Sequence, residues 1–180
     1  MAWTTPRTWV AGETVTDTIM NTHVRDNLAY LGTGIIRLSV NTTAVGNVGA
    51  GEDDLITYTL PAATLGVDGM GVRITAFGQT ANNANAKNLK MYFGSTALST
   101  ITLETSSAGG WVLGVVVIRT GATAQIGRVT NAGHGTTWKG GGGASTPAET
   151  LSGAVTIKCT GTATANDDIV NALMLVELIR

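Results

Sequence analysis

From Ile35 to the C-terminus the apolar residues recur at every second position, and this alternation constrains the fold more than any other feature of the chain. It is visible in Val72/Ile74/Ala76, Leu89/Met91/Phe93, Ile101/Leu103 and Val155/Ile157/Cys159. A period of two places alternate side chains on opposite faces of an extended backbone, so each run makes a strand with one apolar face. The pattern predicts strands at Ile35–Val40, Leu55–Leu60, Gly71–Phe77, Leu89–Phe93, Ser99–Glu104, Trp111–Thr120, Gln125–Thr130, Ala154–Thr160 and Ile169–Ile179.

Turn-forming clusters separate these runs: residues 49–54 (Gly-Ala-Gly-Glu-Asp-Asp), 67–69 (Val-Asp-Gly), 81–85 (Ala-Asn-Asn-Ala-Asn), 120–122 (Thr-Gly-Ala) and 165–168 (Ala-Asn-Asp-Asp). Many short strands with no helix between them exclude βαβ units and indicate an antiparallel sandwich or barrel. The expected fold is therefore mainly β: an antiparallel, jelly-roll-like sandwich at residues 34–180, preceded by a short arm and one α-helix at residues 1–33. Residues 131–150, with four consecutive glycines at 140–143, interrupt the pattern and read as a long exposed loop, mobile in isolation and given to function or to ordering by a partner.

The helix is expected within Val15–Gly32, where Met20, Val24, Leu28 and Leu31 recur at helical spacing. Thr16 or Asp17 can cap its start, and Gly32 can end it in a left-handed conformation. A helix of about four turns is marginal alone in water, so this one must dock on something. Before it, Trp3, Pro6 and Trp9 lie in a stretch with no periodicity, read as an extended arm.

Charged residues make up only 13% of the chain, well below the roughly 25% of an average soluble domain, and the formal net charge is −1. Much of the surface is thus neutral enough to be buried against a partner. No cluster of Lys or Arg supplies the footprint needed on phosphate backbones, so nucleic-acid binding is not expected. The longest apolar run, Val112–Ile118, is far short of the ~20 residues of a membrane span, and Met1 is not followed by a basic start and apolar stretch. Membrane insertion and a signal peptide are not expected. With a single cysteine, synthesis in a reducing cytoplasm is.

Reactive groups are scarce. His23 and His134 are the two histidines, and neither lies in a nucleophile-elbow or protease context. His23 reads as an interface contact and His134 as a loop residue. Cys159 shares the apolar phase of Val155 and Ile157 and reads as a buried small hydrophobe. The 52–54 and 167–168 acids lack the alternating spacing of a calcium loop and read as turn residues before strands. The glycine run lacks the Gly-Lys-Ser/Thr ending of a phosphate cradle. No catalytic residue, metal or cofactor is assigned.

The arm and helix read Trp9-Val10-Ala11-Gly12-Glu13-Thr14-Val15, then Met20-Asn21-Thr22-His23-Val24-Arg25-Asp26-Asn27-Leu28, closed by Leu31. This string resembles an N-terminal motif of bacteriophage and prophage structural proteins, tail and fibre components among them. A second stretch, residues 58–66, 73–78 and 81–94, is similar to β-sandwich modules of phage fibre and head-decoration proteins. Those modules are commonly trimeric, and their loops meet the host or the capsid.

The resemblance implies a virion protein made in the bacterial host, assembling with itself and with other virion proteins. Trp3, Trp9, Met20, Val24, Arg25, Asp26, Leu28 and Leu31 are the expected attachment or oligomerisation residues. Within the head, Trp111/Leu113/Val115/Val117 and Leu173–Ile179 are expected to be shared between core and subunit interface. A receptor-binding module is the alternative, gripping a host glycan or protein through Asn82, Asn83, Asn85, His134 and Trp138. A glycan depolymerase would need a carboxylate pair that the sequence does not advertise.

Overall fold

The computed structural model describes residues 7–31, 35–139 and 144–180. The chain divides into two compact units, residues 1–36 with Arg180, and residues 37–179.

In the first unit a turn at Gly12, whose φ is +81°, returns Glu13 to the arm: its N–H donates to the Val10 carbonyl at 3.1 Å, and its carboxylate pairs with Arg7. Arg7 in turn lies 5.3 Å over the Trp9 ring. Thr16 caps the helix as expected, its hydroxyl accepting from the Ile19 N–H at 3.3 Å. The helix then departs from expectation. α1 (Asp17–Met20) passes into a π-helical turn (Asn21–Arg25) before α2 (Asp26–Leu31). The wide turn inserts one residue, which rotates the later face by about 100° and breaks the Met20/Val24/Leu28 stripe. Gly32 lies outside the described residues.

The second unit is an antiparallel sandwich of two sheets. The strands are β1 (Ile35–Asn41), β2 (Val45–Gly46), β3 (Gly51–Leu60), β4 (Gly71–Thr80), β5 (Lys87–Phe93), β6 (Thr96–Leu103), β7 (Gly109–Gly121), β8 (Ala124–His134), β9 (Thr137–Trp138), β10 (Ala144–Ser145), β11 (Val155–Ala163) and β12 (Ile169–Ile179). The larger sheet runs β1-β12-β4-β7-β8-β10, with β2 on β12 and β9 on β8; the smaller runs β3-β11-β5-β6. The set β1-β12-β4-β7 facing β3-β11-β5-β6 is the strand order of a jelly roll, and β8 to β10 extend its larger sheet.

The core follows the alternation. Val72, Ile74 and Ala76, Leu89, Met91 and Phe93, Leu113, Val115 and Val117, and Ile157 and Cys159 are all fully buried. Each of the larger side chains contributes on the order of 1.5–3 kcal/mol by leaving water. Bulges interrupt the registers of several strand pairs, and two of them reset the phase of β3 and β12. One separates Asn171 from Leu173 on β12, so Ile169 and Asn171 point inward before it while Met174, Val176 and Leu178 do so after it. The other falls at Leu55, opposite Cys159/Thr160, and buries Leu55 and Ile56 in succession.

Three local expectations are corrected. Residues 52–54 are not a turn but part of β3, which begins at Gly51. Residues 131–150 are not a structureless loop: β8 continues to His134, β9 pairs back on it, and β10 pairs with β8 at Arg128 and Gly127. Gln125 then fixes the return, its side chain bonding the carbonyl and N–H of Glu149 at 2.9 and 3.0 Å. The chain itself therefore orders the described part of this segment; Gly140–Gly143 lie outside the described residues. Finally, Trp111, Leu113, Val115 and Val117 belong wholly to the core, with 3% exposure at most.

Asn171 is fully buried, and apart from a weak contact to the Cys159 thiol neither atom of its amide has a hydrogen-bond partner. An unsatisfied buried amide costs about 1–3 kcal/mol. Asn171→Leu is therefore expected to stabilise the protein by about 1 kcal/mol, raising the melting temperature by roughly 2–4 °C. A lowered melting temperature in a thermal scan would show that the amide is needed.

Candidate functional site

The outward positions of the two sheets differ in chemistry. On the larger sheet the registers set four rows across β12, β4, β7 and β8: Leu173–Phe77–Val112–Gly133, Leu175–Thr75–Gly114–Asn131, Glu177–Arg73–Val116–Arg128 and Ile179–Gly71–Ile118–Ile126. Phe77 and Ile126 are 43% and 41% exposed, and the leucines and valines of these rows are half-buried. The charges sit in one row, where Arg73 and Glu177 pair at 3.7 Å. Apolar side chains fill most of the first and last of these rows, with Leu175 and Val116 between them. On β7 the rows take Val112, Gly114, Val116 and Ile118, the opposite phase from the Trp111–Val117 set.

The smaller sheet is polar outside. Its rows are Thr57–Lys158–Tyr92–Ala97, Asp54–Thr160–Lys90–Thr100 and Glu52–Thr162–Asn88–Thr102. Glu52 accepts from Lys90 Nζ at 2.5 Å, Tyr92 Oη at 2.8 Å and Thr160 Oγ1 at 2.7 Å. Partial burial works against its charged form, but the bonds from Lys90, Thr160 and Tyr92 and the Lys90 charge outweigh it and hold the carboxyl down at about 2. The same pairing raises the Lys90 ammonium above its usual range. Lys158 donates to Asp54 at 2.7 Å while its Nζ sits 5.3 Å over the Tyr92 ring.

The proposed receptor loops fare unevenly. Asn82 and Trp138 are exposed, Trp138 by 62%. Asn83 and Asn85 instead form a structural clasp. Both amides donate to the Asp168 carboxylate, Asn85 at 2.9 Å, and Asp168 also accepts from the N–H groups of Ala165 at 2.8 Å and Thr164 at 3.3 Å. Burial disfavours the Asp168 charge, yet the donors from Asn83, Ala165, Asn85 and Thr164 bring its carboxyl down to about 2. On the other side of the clasp Lys87, fully buried, donates to Asn83 Oδ1 at 2.7 Å and to the carbonyls of Asn85 and Asn83 at 3.1 and 3.2 Å.

His134 is not a loop residue. It ends β8 at 1% exposure, which removes it from any surface a receptor could touch. Its Nδ1 accepts from the Glu104 N–H at 3.2 Å, leaving the ring proton on Nε2 to meet Thr80 Oγ1 at 2.8 Å. Burial lowers its pKa, aided by Lys139 and Lys87 and opposed by the Glu104 carboxylate. Burial likewise pushes the Cys159 thiol up to about 12 against a bond from Asn171.

Of the attachment residues, Trp9 (48%), Met20 (45%) and Leu28 (63%) are exposed, as are Val10 and Val15. Val24 is half-buried; Arg25 pairs with Asp26 at 2.8 Å on the helix surface. Trp3 and the side chain of Leu31 lie outside the described residues. Among the described residues no three metal-ligating side chains come together, and no helix is long and apolar enough to cross a membrane.

No protein-family model matches the chain, and no curated protein matches it. Among solved structures the chain is similar to the CBM2 module of the evolved Dit of Lactobacillus casei BL23 phage J-1, at 9% identity and a TM-score of 0.37, over 80% of this chain and 96% of that one. So distant a likeness decides neither fold nor function, and both rest on the strands and surfaces described above.

Proposed function

We propose that the protein is a non-enzymatic structural component of a bacteriophage virion, of fibre or decoration type, that assembles with copies of itself as a trimer. The observation that carries this reading is the apolar outer face of the larger sheet, set against the charged and threonine-rich outer face of the smaller one. Exposed apolar area costs free energy in water, and packing this face against a different face of the neighbouring copy, in a closed ring of three, removes it. The exposed Trp9, Met20 and Leu28 supply the anchors by which residues 1–33 attach to sister chains or to other virion proteins. Two reactive groups are committed to structure: Cys159 is sealed in the core, and both ring nitrogens of His134 are engaged.

Sedimentation velocity at micromolar concentration tests the assembly. The wild type should run as a trimer, and Phe77→Lys with Leu175→Lys should run as a monomer whose stability changes by no more than about 0.5 kcal/mol for each surface substitution. A monomeric wild type defeats the reading. Immunogold labelling of purified particles tests the virion assignment independently.

A further inference from the structure

The polar face of the smaller sheet carries a trough. Two open depressions, of about 350 Å³ and 460 Å³, share Asp54, Gly94, Ser95 and Lys158 and so run into one another. Glu52 and Tyr92 line one end, Glu149 and Thr156 the other. Its walls are fixed before any ligand arrives. Glu149 accepts from the Ser95 N–H at 2.7 Å and Ser95 Oγ at 2.9 Å, which clamps the β5–β6 turn. That turn requires glycine at 94, where φ is +59° and a Cβ would strike the Glu149 carboxyl group at 2.0 Å. At the other end Glu52 is held by its three donors and Lys158 by Asp54 and the Tyr92 ring.

From this geometry we infer that the trough is a binding site for a neutral polysaccharide, taken up along an internal stretch of its chain. The choice follows by chemistry. An anion would confront Glu52, Asp54 and Glu149, while the neighbouring ammonium groups, Lys90 and Lys158, are already paired with carboxylates. An apolar ligand would cover the carboxylates, the ammonium group and the hydroxyls of the lining without offering them partners. A sugar hydroxyl donates and accepts at once, so the three carboxylates, the Lys158 ammonium and the Ser95 and Thr156 hydroxyls of the lining serve a row of hydroxyls, and the Tyr92 ring offers carbon surface. Openness along the surface suits a polymer that enters and leaves, whereas a small molecule would be left mostly in water. Because the fixed side chains lose little freedom on binding, the affinity lost to ordering is small.

The inference does not depend on assembly, since the trough and the apolar rows lie on opposite sheets. Affinity electrophoresis of the full chain through gels containing dextran, mannan, xylan or galactan is the test. Retardation by at least one is expected, together with perturbation of Tyr92, Ser95 and Lys158 amide resonances by the corresponding oligosaccharide. Lys158→Met and Tyr92→Ala should each weaken binding about tenfold or more, whereas Phe77→Lys, on the other sheet, should leave it unchanged. Lys158→Met keeps the variant's aliphatic stem, so its loss of binding should come without a fall in melting temperature. Migration unaffected by every polymer overturns the inference, as does binding that survives both trough substitutions or is confined to an anionic polymer such as polyphosphate.

Discussion

Asp168→Ala should lower the unfolding free energy by about 3–5 kcal/mol, the range found when one member of a buried charged arrangement is removed. The carboxylate is 1% exposed and takes four donors, two from the β4–β5 loop and two from the β11–β12 turn. Alanine would strand the Asn83 and Asn85 amides and leave the buried Lys87 ammonium without the negative charge that lies one residue beyond its ligands. Urea denaturation with an unchanged slope is the measurement. A loss under about 1 kcal/mol would mean that the clasp contributes little. The pH dependence carries a definite sign. A carboxyl held at about 2 when folded, against an ordinary 3.8, binds its proton more readily in the unfolded chain. Its contribution is therefore complete above the ordinary range and fades as pH falls toward about 2. The gap between wild type and variant should shrink through that acid window.

Gly78→Ala should cost about 3 kcal/mol, the upper end for overpacking a rigid core. Gly78 stands opposite Trp111 in the β4–β7 register, and the indole lies across it. A Cβ there would come within 1.9 Å of the Val170 carbonyl oxygen and 2.4 Å of Trp111 Cζ2. The ring can be exchanged but the carbonyl belongs to the neighbouring strand, so Trp111→Phe should relieve the damage only in part. A double-mutant cycle by chemical denaturation is expected to give a coupling of roughly 1 kcal/mol, and additivity would place the strain at Val170 alone.

How much of this could be read beforehand depended on whether the signal was local. Alternation located all nine of the longer strands, because a half-buried strand writes its two faces into adjacent residues. Thr16 announced the helix start for the same reason. The core half of the expectation for Trp111/Leu113/Val115/Val117 holds, but both phases of β7 are apolar, and nothing in Trp111–Ile118 alone tells which one is left outside. The bulges at Leu55 and after Asn171 shift the phase without a distinguishing residue, and the π turn at Asn21–Arg25 has no signature either. Lys87 carried a clue: it continues the inward series of Leu89, Met91 and Phe93. His134 lay among glycines, and its partners Thr80 and Glu104 are 54 and 30 residues away. The trough was illegible because β3, β5, β11 and Glu149 converge only in the folded sandwich.

The Lys87 ammonium fills a cage of three oxygens from Asn83 and Asn85, with the Asp168 carboxylate behind it. Oxygens converging on a positive charge in this way are what a hard ion such as calcium demands. Here the cation is covalently tethered, so it can be neither stripped by a chelator nor exchanged with the salts of the surroundings. The loop joining β4 to β5 thus keeps its shape independently of the mineral content of whatever medium the protein meets.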